Sequence, residues 1–181
     1  NLDMKKTLFL DRDGIINVDH GYVYKTEEFE FIEEIFNVCL DAQRKGYQII
    51  VITNQSGIAR GKYTVEQFKQ LSSWMKGVFK EKGVDILDVY FCPHHPVKGI
   101  GEYLQNCSCR KPEPGMILQA AKEYDVDLKR SVFIGDKISD MQAAKSACIE
   151  NRIMLVDQYE DNQTINAQRI NEIRQASLYI V

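Results

Sequence analysis

Apolar and polar positions fall along the chain in blocks whose period changes at regular intervals. Thr7-Leu-Phe-Leu10 is a short unbroken apolar run that stops at Asp11, and Gln48-Ile-Ile-Val-Ile-Thr53 is a second that stops at Asn54. Runs of this length without alternation predict strands buried on both faces. Between them, Phe31, Ile32, Ile35, Phe36, Cys39 and Leu40 recur at helical steps, which predicts a helix from Phe29 to Lys45 ended by Gly46.

The pattern then repeats. Thr64-Val-Glu-Gln67 has the spacing of a capping box, and the helix it opens runs through Phe68, Leu71, Met75 and Phe79 towards Gly83. Val89-Tyr-Phe91 reads as a strand, Gly115 to Tyr124 as a helix and Ser131-Val-Phe-Ile134 as a strand ending at Gly135-Asp136. A helix from Asp140 to Ala147, a strand from Ile153 to Val156, a helix from Asn166 to Ala176 and a last strand from Leu178 to Val181 complete the expectation. Alternation of this kind predicts an α/β fold, a doubly wound parallel sheet with helices on both faces, because parallel strands need crossover connections. Ligands of such sheets bind beyond the carboxyl ends of the strands, so the polar residues there become the candidates for chemistry.

Composition narrows the class. The chain has 181 residues, 44% hydrophobic and 27% charged, with no linker-like stretch, internal repeat or low-complexity segment, so one domain over residues 4–181 is expected. A formal net charge of -3 provides no broad basic field for a nucleic-acid polymer or an anionic membrane, so a small anionic ligand must be drawn by local cations. No apolar run approaches the ~18 residues of a spanning helix and no signal-peptide layout is visible, which points to the cytoplasm. No amphipathic stretch is left without a place in the core, so a monomer is expected. Asn1, Leu2 and Asp3, ahead of Met4, are expected to be left over from expression.

The candidate chemistry lies at three strand ends. Asp11-Arg-Asp13-Gly14 follows the first strand, and Gly14 permits a turn that brings both carboxylates to one pocket. Thr53-Asn54 and Gly135-Asp136-Lys137 end two further strands at the same face. Asp11, Asp136 and the backbone carbonyl of Asp13 offer the hard oxygens that magnesium prefers. Elsewhere, Cys92-Pro-His94 and Cys107-Ser-Cys109 form two closely spaced pairs of soft ligands flanking a loop that contains Pro96, Gly99 and Gly101. Four such ligands suit a closed, structural tetrahedral zinc site, with His95 as a competing imidazole for His94. Cys39 and Cys148 stand alone in apolar surroundings and read as buried small hydrophobes.

Asp11-Arg-Asp13-Gly14, Thr53, Lys111 and Gly135-Asp136 with Asp140 together resemble the four motifs of the haloacid dehalogenase (HAD) superfamily of phosphatases. The resemblance implies that Asp11 is a nucleophile forming an aspartyl phosphate and that Asp13 is a general acid and then a general base. Thr53 and Lys111 would stabilise the phosphoryl oxygens. With only residues 14–28 between Asp13 and Phe29, and only the zinc loop later, no separate cap domain is expected.

The strings Asp19-His-Gly-Tyr-Val23, Thr53-Asn-Gln-Ser-Gly-Ile-Ala-Arg-Gly61, Cys92-Pro-His-His-Pro96 and Cys109-Arg-Lys-Pro112 closely resemble the heptose bisphosphate phosphatases of that superfamily. This implies removal of the 7-phosphate from a heptose 1,7-bisphosphate, in the making of nucleotide-activated heptose for surface polysaccharide. It also implies substrate contacts from Asp19, His20, Gly21, Tyr22, Thr53, Asn54, Gln55, Ser56, Arg110, Lys111 and Lys137. Histidinol-phosphate phosphatases share the aspartate motifs and zinc loop, but the planar fork of Arg110 suits a second phosphate and would repel a cationic amine. A receiver-type phosphorylation switch, the alternative from another class, needs a long-lived acyl phosphate, whereas Asp13 is placed to activate water. Two departures from the heptose phosphatase pattern, Ala147-Cys148-Ile149 for a small Ala-Gly pair and Val156-Asp157-Gln158 for a basic exit, make unusual packing of the terminal strands an expectation.

Overall fold

A computed structural model of the chain describes residues 3–157 and 165–181; Asn1, Leu2 and Gln158, which figure in the expectations above, lie outside them. Its elements in order are β1 (Thr7–Leu10), α1 (Glu34–Arg44), β2 (Gln48–Asn54), α2 (Val65–Glu81), β3 (Ile86–Cys92), α3 (Gly115–Glu123), β4 (Val132–Gly135), α4 (Ile138–Ser146), β5 (Asn151–Leu155) and β6 (Gln168–Ile170). The strands form one parallel sheet in the order β3-β2-β1-β4-β5-β6. The doubly wound α/β expectation therefore holds.

The strands divide the core between two faces with the period of two that a pleated backbone imposes. Leu8, Leu10, Ile49, Val51, Val132 and Ile134 point to a layer completed by α1, α2 and the C-terminal residues Ile173, Ala176 and Ile180. Phe9, Ile50, Ile52 and Phe133 point the other way, against Met116, Ile117 and Ala120 of α3 and Met141, Ala143 and Ala144 of α4. No helix among the described residues is long and apolar enough to cross a membrane.

Three expectations about the elements need correction. The first helix begins at Glu34 rather than Phe29, because the backbone of residues 30–32 is engaged elsewhere: Val18 N–H donates to Glu30 O and Ile32 N–H to Ile16 O, both at 2.8 Å. Phe29 is still buried and Phe31 partly so, but in an aromatic cluster with Phe36, Trp74 and Phe79. The helix expected at Asn166 to Ala176 is instead β6 on the sheet edge followed by a 3-10 helix, Ile173–Tyr179. Finally, Leu178 to Val181 form no strand, because side chains claim their carbonyls. Asn151 Nδ2 donates to Tyr179 O (2.8 Å), Lys45 Nζ to Ile180 O (2.5 Å) and Tyr47 OH to Val181 O (2.7 Å).

The Ala147-Cys148-Ile149 departure has a local consequence. Cys148 N–H donates to Lys145 O (3.0 Å) and Ile149 N–H to Ala144 O (2.9 Å), which closes α4 in a Schellman motif. The motif requires left-handed backbone at Cys148, whose φ is 66°. Glycine fills the same position after α1 and α2, at Gly46 and Gly83. Cys148 is exposed, against the expectation of burial, while Cys39 is buried.

Candidate active site

Because β1 pairs in register with both β2 and β4, the carboxyl ends of these strands abut. Asp11 thus lies between Thr53-Asn54 and Gly135-Asp136. Lys111 enters from the segment behind the Cys/His loop, and Asn54 positions it: Asn54 Oδ1 accepts from Lys111 N–H (3.0 Å) and Asn54 Nδ2 donates to Lys111 O (3.1 Å). The buried Lys111 ammonium donates to Asp11 Oδ1 (2.8 Å), Asp140 Oδ1 (2.7 Å) and Ile52 O (2.9 Å). Burial alone would favour neutral lysine, but Asp11 and Asp140 outweigh it and hold the ammonium above its ordinary value.

Asp140 serves this arrangement from the first turn of α4. Its Oδ2 accepts the backbone N–H groups of Asp136 and Lys137, both at 3.1 Å, while its Oδ1 accepts from Lys111. Asp11 is raised well above the ordinary carboxylate range by burial and by Asp140, partly offset by Lys111. Asp136 is pushed up to about 6, again by burial first and Asp140 second.

Gly14 fits the turn after Asp13 for two reasons. Its φ is 95°, and a Cβ there would stand 2.1 Å from Asp136 Oδ2. With this close approach, carboxylate oxygens of Asp11, Asp136 and Asp140 lie within 4.8 Å of one another. Asp140 already accepts from the Lys111 ammonium and two backbone N–H groups, which leaves Asp11 and Asp136 as the freer ligands, and Asp136 Oδ1 is buried without a hydrogen-bond partner. A hard divalent cation fits this donor set.

Asp13 is held on both sides. Its Oδ1 accepts from Arg12 Nη2 (2.9 Å), Arg12 Nε (3.3 Å) and Asn17 Nδ2 (2.9 Å), and its Oδ2 from Gln55 Nε2 (3.2 Å). Arg12 went unassigned in the sequence, although an arginine between two strand-end aspartates was a visible signal. It is 1% exposed, lies 5.7 Å and 5.9 Å from the rings of Phe29 and Phe68, and donates to Val23 O (2.9 Å), tying Asp13 to the Asp19 to Tyr22 turn.

Asp11, Asp13, Asn54, Lys111, Lys137, Ser139 and Asp140 line a cavity of about 40 Å³. Hollows of about 300 Å³ lie elsewhere, along α2 and at the opposite end of the sheet, but hold no such convergence of groups.

The remaining candidates form a rim. Asp19 Oδ1 accepts from Gly21 N–H (3.0 Å), and Tyr22 presents its ring to Lys62 at 5.1 Å and to Arg60 at 5.9 Å. His20 Nε2 pairs with Glu30 Oε1 at the surface (2.9 Å), and Ser56 O accepts from Arg60 N–H (3.0 Å). The Gln55 side chain is buried, directed at Asp13 and Thr53. Arg110 Nη1 reaches His94 O (3.5 Å). Arg60, unassigned in the sequence, has a buried Nε without a partner. Burial, then Arg110, Arg60 and Lys98, hold His95 below its ordinary value, which marks a cationic cluster on the rim.

Cys92 Sγ, His94 Nδ1, Cys107 Sγ and Cys109 Sγ lie within 4.8 Å of one another, and none is in a disulfide. The hydrogen bond between Cys92 and Cys109 (2.7 Å) pulls Cys109 down to about 5, towards the thiolate a metal needs, while it pushes Cys92 up. The competition between imidazoles is resolved by geometry. His95 Nδ1 accepts from Val97 N–H (3.1 Å) and Lys98 N–H (2.9 Å), so His95 is spent on the loop itself.

Comparison with known proteins agrees with this geometry. The family model described as polynucleotide kinase 3 phosphatase matches residues 2–165. A Pasteurella multocida protein named D-glycero-beta-D-manno-heptose-1,7-bisphosphate 7-phosphatase is 48% identical over 152 residues, covering 84% of this chain and 82% of its own. A Vibrio cholerae protein of the same name is 48% identical over 151 residues, 83% and 81% of the two chains. Among solved structures, a Mesorhizobium loti chain described as a HAD-like phosphatase superimposes with a TM-score of 0.86 at 34% identity, over 98% of this chain and 86% of that one. The D,D-heptose 1,7-bisphosphate phosphatase of B. bronchiseptica, complexed with magnesium and phosphate, gives a TM-score of 0.80 at 26% identity over 96% of each chain.

Proposed function

The chain belongs to the family of the polynucleotide kinase 3 phosphatase model and to that of the D-glycero-β-D-manno-heptose-1,7-bisphosphate 7-phosphatases, and from that premise we propose the following chemistry. The enzyme hydrolyses the 7-phosphate of D-glycero-D-manno-heptose 1,7-bisphosphate, leaving heptose 1-phosphate for activation by a nucleotide. The observation that carries this reading is the convergence of Asp11, Asp13, Lys111 and Asp140 on one small cavity, with the Asp136 carboxylate within 4.8 Å of those of Asp11 and Asp140.

Asp11 attacks phosphorus in line as the bond to the C7 oxygen breaks, and Asp13 delivers a proton to the departing alkoxide. Asp13 then takes a proton from the water that attacks the acyl phosphate, which releases inorganic phosphate and restores Asp11. Lys111 and the Thr53 hydroxyl hold the phosphoryl oxygens, whose charge is the main electrostatic demand of the reaction. Asp11, Asp136 and the Asp13 carbonyl would hold magnesium, which when bound neutralises charge on the phosphoryl group and on the two carboxylates. Asp140 acts through Lys111, fixing where its ammonium sits.

The second phosphate falls to the rim, where Arg110, Arg60 and Lys98 supply positive charge against the turn from Asp19 to Tyr22. Zinc on Cys92, His94, Cys107 and Cys109 is a structural clamp, from which Arg110 and Lys111 emerge directly. The names of the relatives favour the β anomer.

Phosphate release with magnesium tests the reading on the α and β bisphosphates, on histidinol phosphate and on p-nitrophenyl phosphate. The β bisphosphate is expected to be turned over fastest, Asp11→Asn to be inactive, and Arg110→Ala to raise KM for the bisphosphate while sparing p-nitrophenyl phosphate. Faster turnover of histidinol phosphate would refute the substrate assignment, and activity in Asp11→Asn the covalent mechanism.

A further inference from the structure

Asp13 must present one oxygen to the leaving group, and its surroundings distinguish the two. Oδ1 accepts three N–H groups, two from Arg12 and one from Asn17. Oδ2 has one long contact, to Gln55 Nε2 at 3.2 Å. Oδ2 is therefore the oxygen with room for a transferable proton, and the group that faces this oxygen decides where such a proton points.

That group is an amide, which has a donor end and an acceptor end of nearly equal shape. In the observed orientation Gln55 Nε2 donates to both Asp13 Oδ2 and Thr53 Oγ1 (2.8 Å), while Oε1 accepts from the Tyr63 hydroxyl. The flipped orientation would turn Oε1 towards Asp13, where it would accept the Oδ2 proton and divert it from the substrate. Tyr63 favours the observed orientation, in which its hydroxyl donates to Oε1. It is 5% exposed, stacks on Tyr24 at 5.4 Å, and fills the space a Cβ on Gly57 would occupy, since that atom would stand 2.2 Å from its ring. Gln55 is anchored in turn, its N–H donating to Cys92 O at 2.8 Å.

We propose that Tyr63 and Gln55 form a positioning pair that locks the amide with its donors towards Asp13 and Thr53, so that the proton on Asp13 Oδ2 is left for the leaving alkoxide. The proposal rests on the reading of Asp13 as the general acid. In this role both residues act through Asp13 and Thr53.

Leaving-group dependence separates this role from a structural one. A sugar alkoxide needs the proton and p-nitrophenolate does not, and kcat/KM reports only the steps through the first departure. Tyr63→Phe is expected to lower kcat/KM on the heptose bisphosphate by about tenfold and on p-nitrophenyl phosphate by less than about twofold. Gln55→Met, which lacks the donors altogether, is expected to show the same asymmetry more strongly and serves in place of Tyr63→Phe should that variant not fold. Equal losses on the two substrates, or no loss on either, would overturn the proposal. Asp13→Asn run alongside must itself show the asymmetry; its absence there would fell the general-acid reading and the inference with it, whereas its presence there and absence in Tyr63→Phe and Gln55→Met would fell the inference alone.

Discussion

Asp136→Asn is expected to stabilise the magnesium-free protein while destroying the enzyme. In the folded state burial and Asp140 move the Asp136 carboxyl from 3.8 to about 6. A displacement of that size makes the ionised form cost about 3 kcal/mol relative to the unfolded chain. The pH window follows from the direction. Below about pH 4 the carboxyl is protonated in both states and contributes nothing. Between pH 4 and 6 the unfolded chain loses its proton while the folded protein keeps it, so stability falls as pH rises, and above about pH 6 the full cost is present.

Asparagine removes the charge but keeps a side-chain oxygen to accept the hydrogen bond from Asp11, and Asp136 Oδ1 makes no hydrogen bond to be lost. For a chain of this length, about 3 kcal/mol corresponds to roughly 6–12 °C in Tm. Thermal unfolding with a chelator should therefore place Asp136→Asn above the parent at pH 7 and level with it near pH 4. Magnesium should raise the parent's Tm at pH 7 and leave the variant unmoved, and the variant should release no phosphate. A lower Tm for the variant at pH 7 without metal, or equal stabilisation of both proteins by magnesium, would refute the electrostatic reasoning.

Other perturbations test separate parts of the structure. Gly14→Ala places a Cβ against Asp136 Oδ2 and strains a residue at φ 95°, so magnesium-dependent stabilisation and phosphate release should both be lost, as calorimetric titration and turnover would show. Cys148→Gly relieves left-handed backbone at φ 66° and should raise stability by about 1 kcal/mol in urea unfolding with kcat unchanged. Cys107→Ala should lose bound zinc by metal analysis, lower Tm and raise KM for the bisphosphate as Arg110 loosens; full zinc content would exclude the ligand assignment.

The parts of the fold legible in the sequence were those whose local and tertiary demands agree. Thr64 and Gln67 form the capping box their spacing implied, each accepting the other's backbone N–H at 3.1 Å and 2.9 Å. The central strands were legible because a strand buried on both faces must be apolar throughout, and their ends marked Asp11, Thr53 and Asp136. The C-terminal segment misled because Ile170, Ile173 and Ala176 satisfy helical spacing while bridging an edge strand and a 3-10 turn. Carbonyl capture by Lys45, Tyr47 and Asn151 depends on residues far away in sequence. Gln55 was named only as a substrate contact and Arg12 only offered a signal; their roles around Asp13, and that of Tyr63, were not legible, since each lies in which atom faces which.

The central claim is that separate strand ends surround one phosphorus atom bonded to Asp11. A crystal structure with magnesium and beryllium fluoride, which mimics an acyl phosphate, tests it directly. The expected result is beryllium bonded to an Asp11 carboxylate oxygen, with fluorides against Lys111 and Thr53, the cation shared with Asp136, and Asp13 Oδ2 facing the open side. Fluoride bound without a bond to Asp11, or a cation held away from Asp136, would contradict the account.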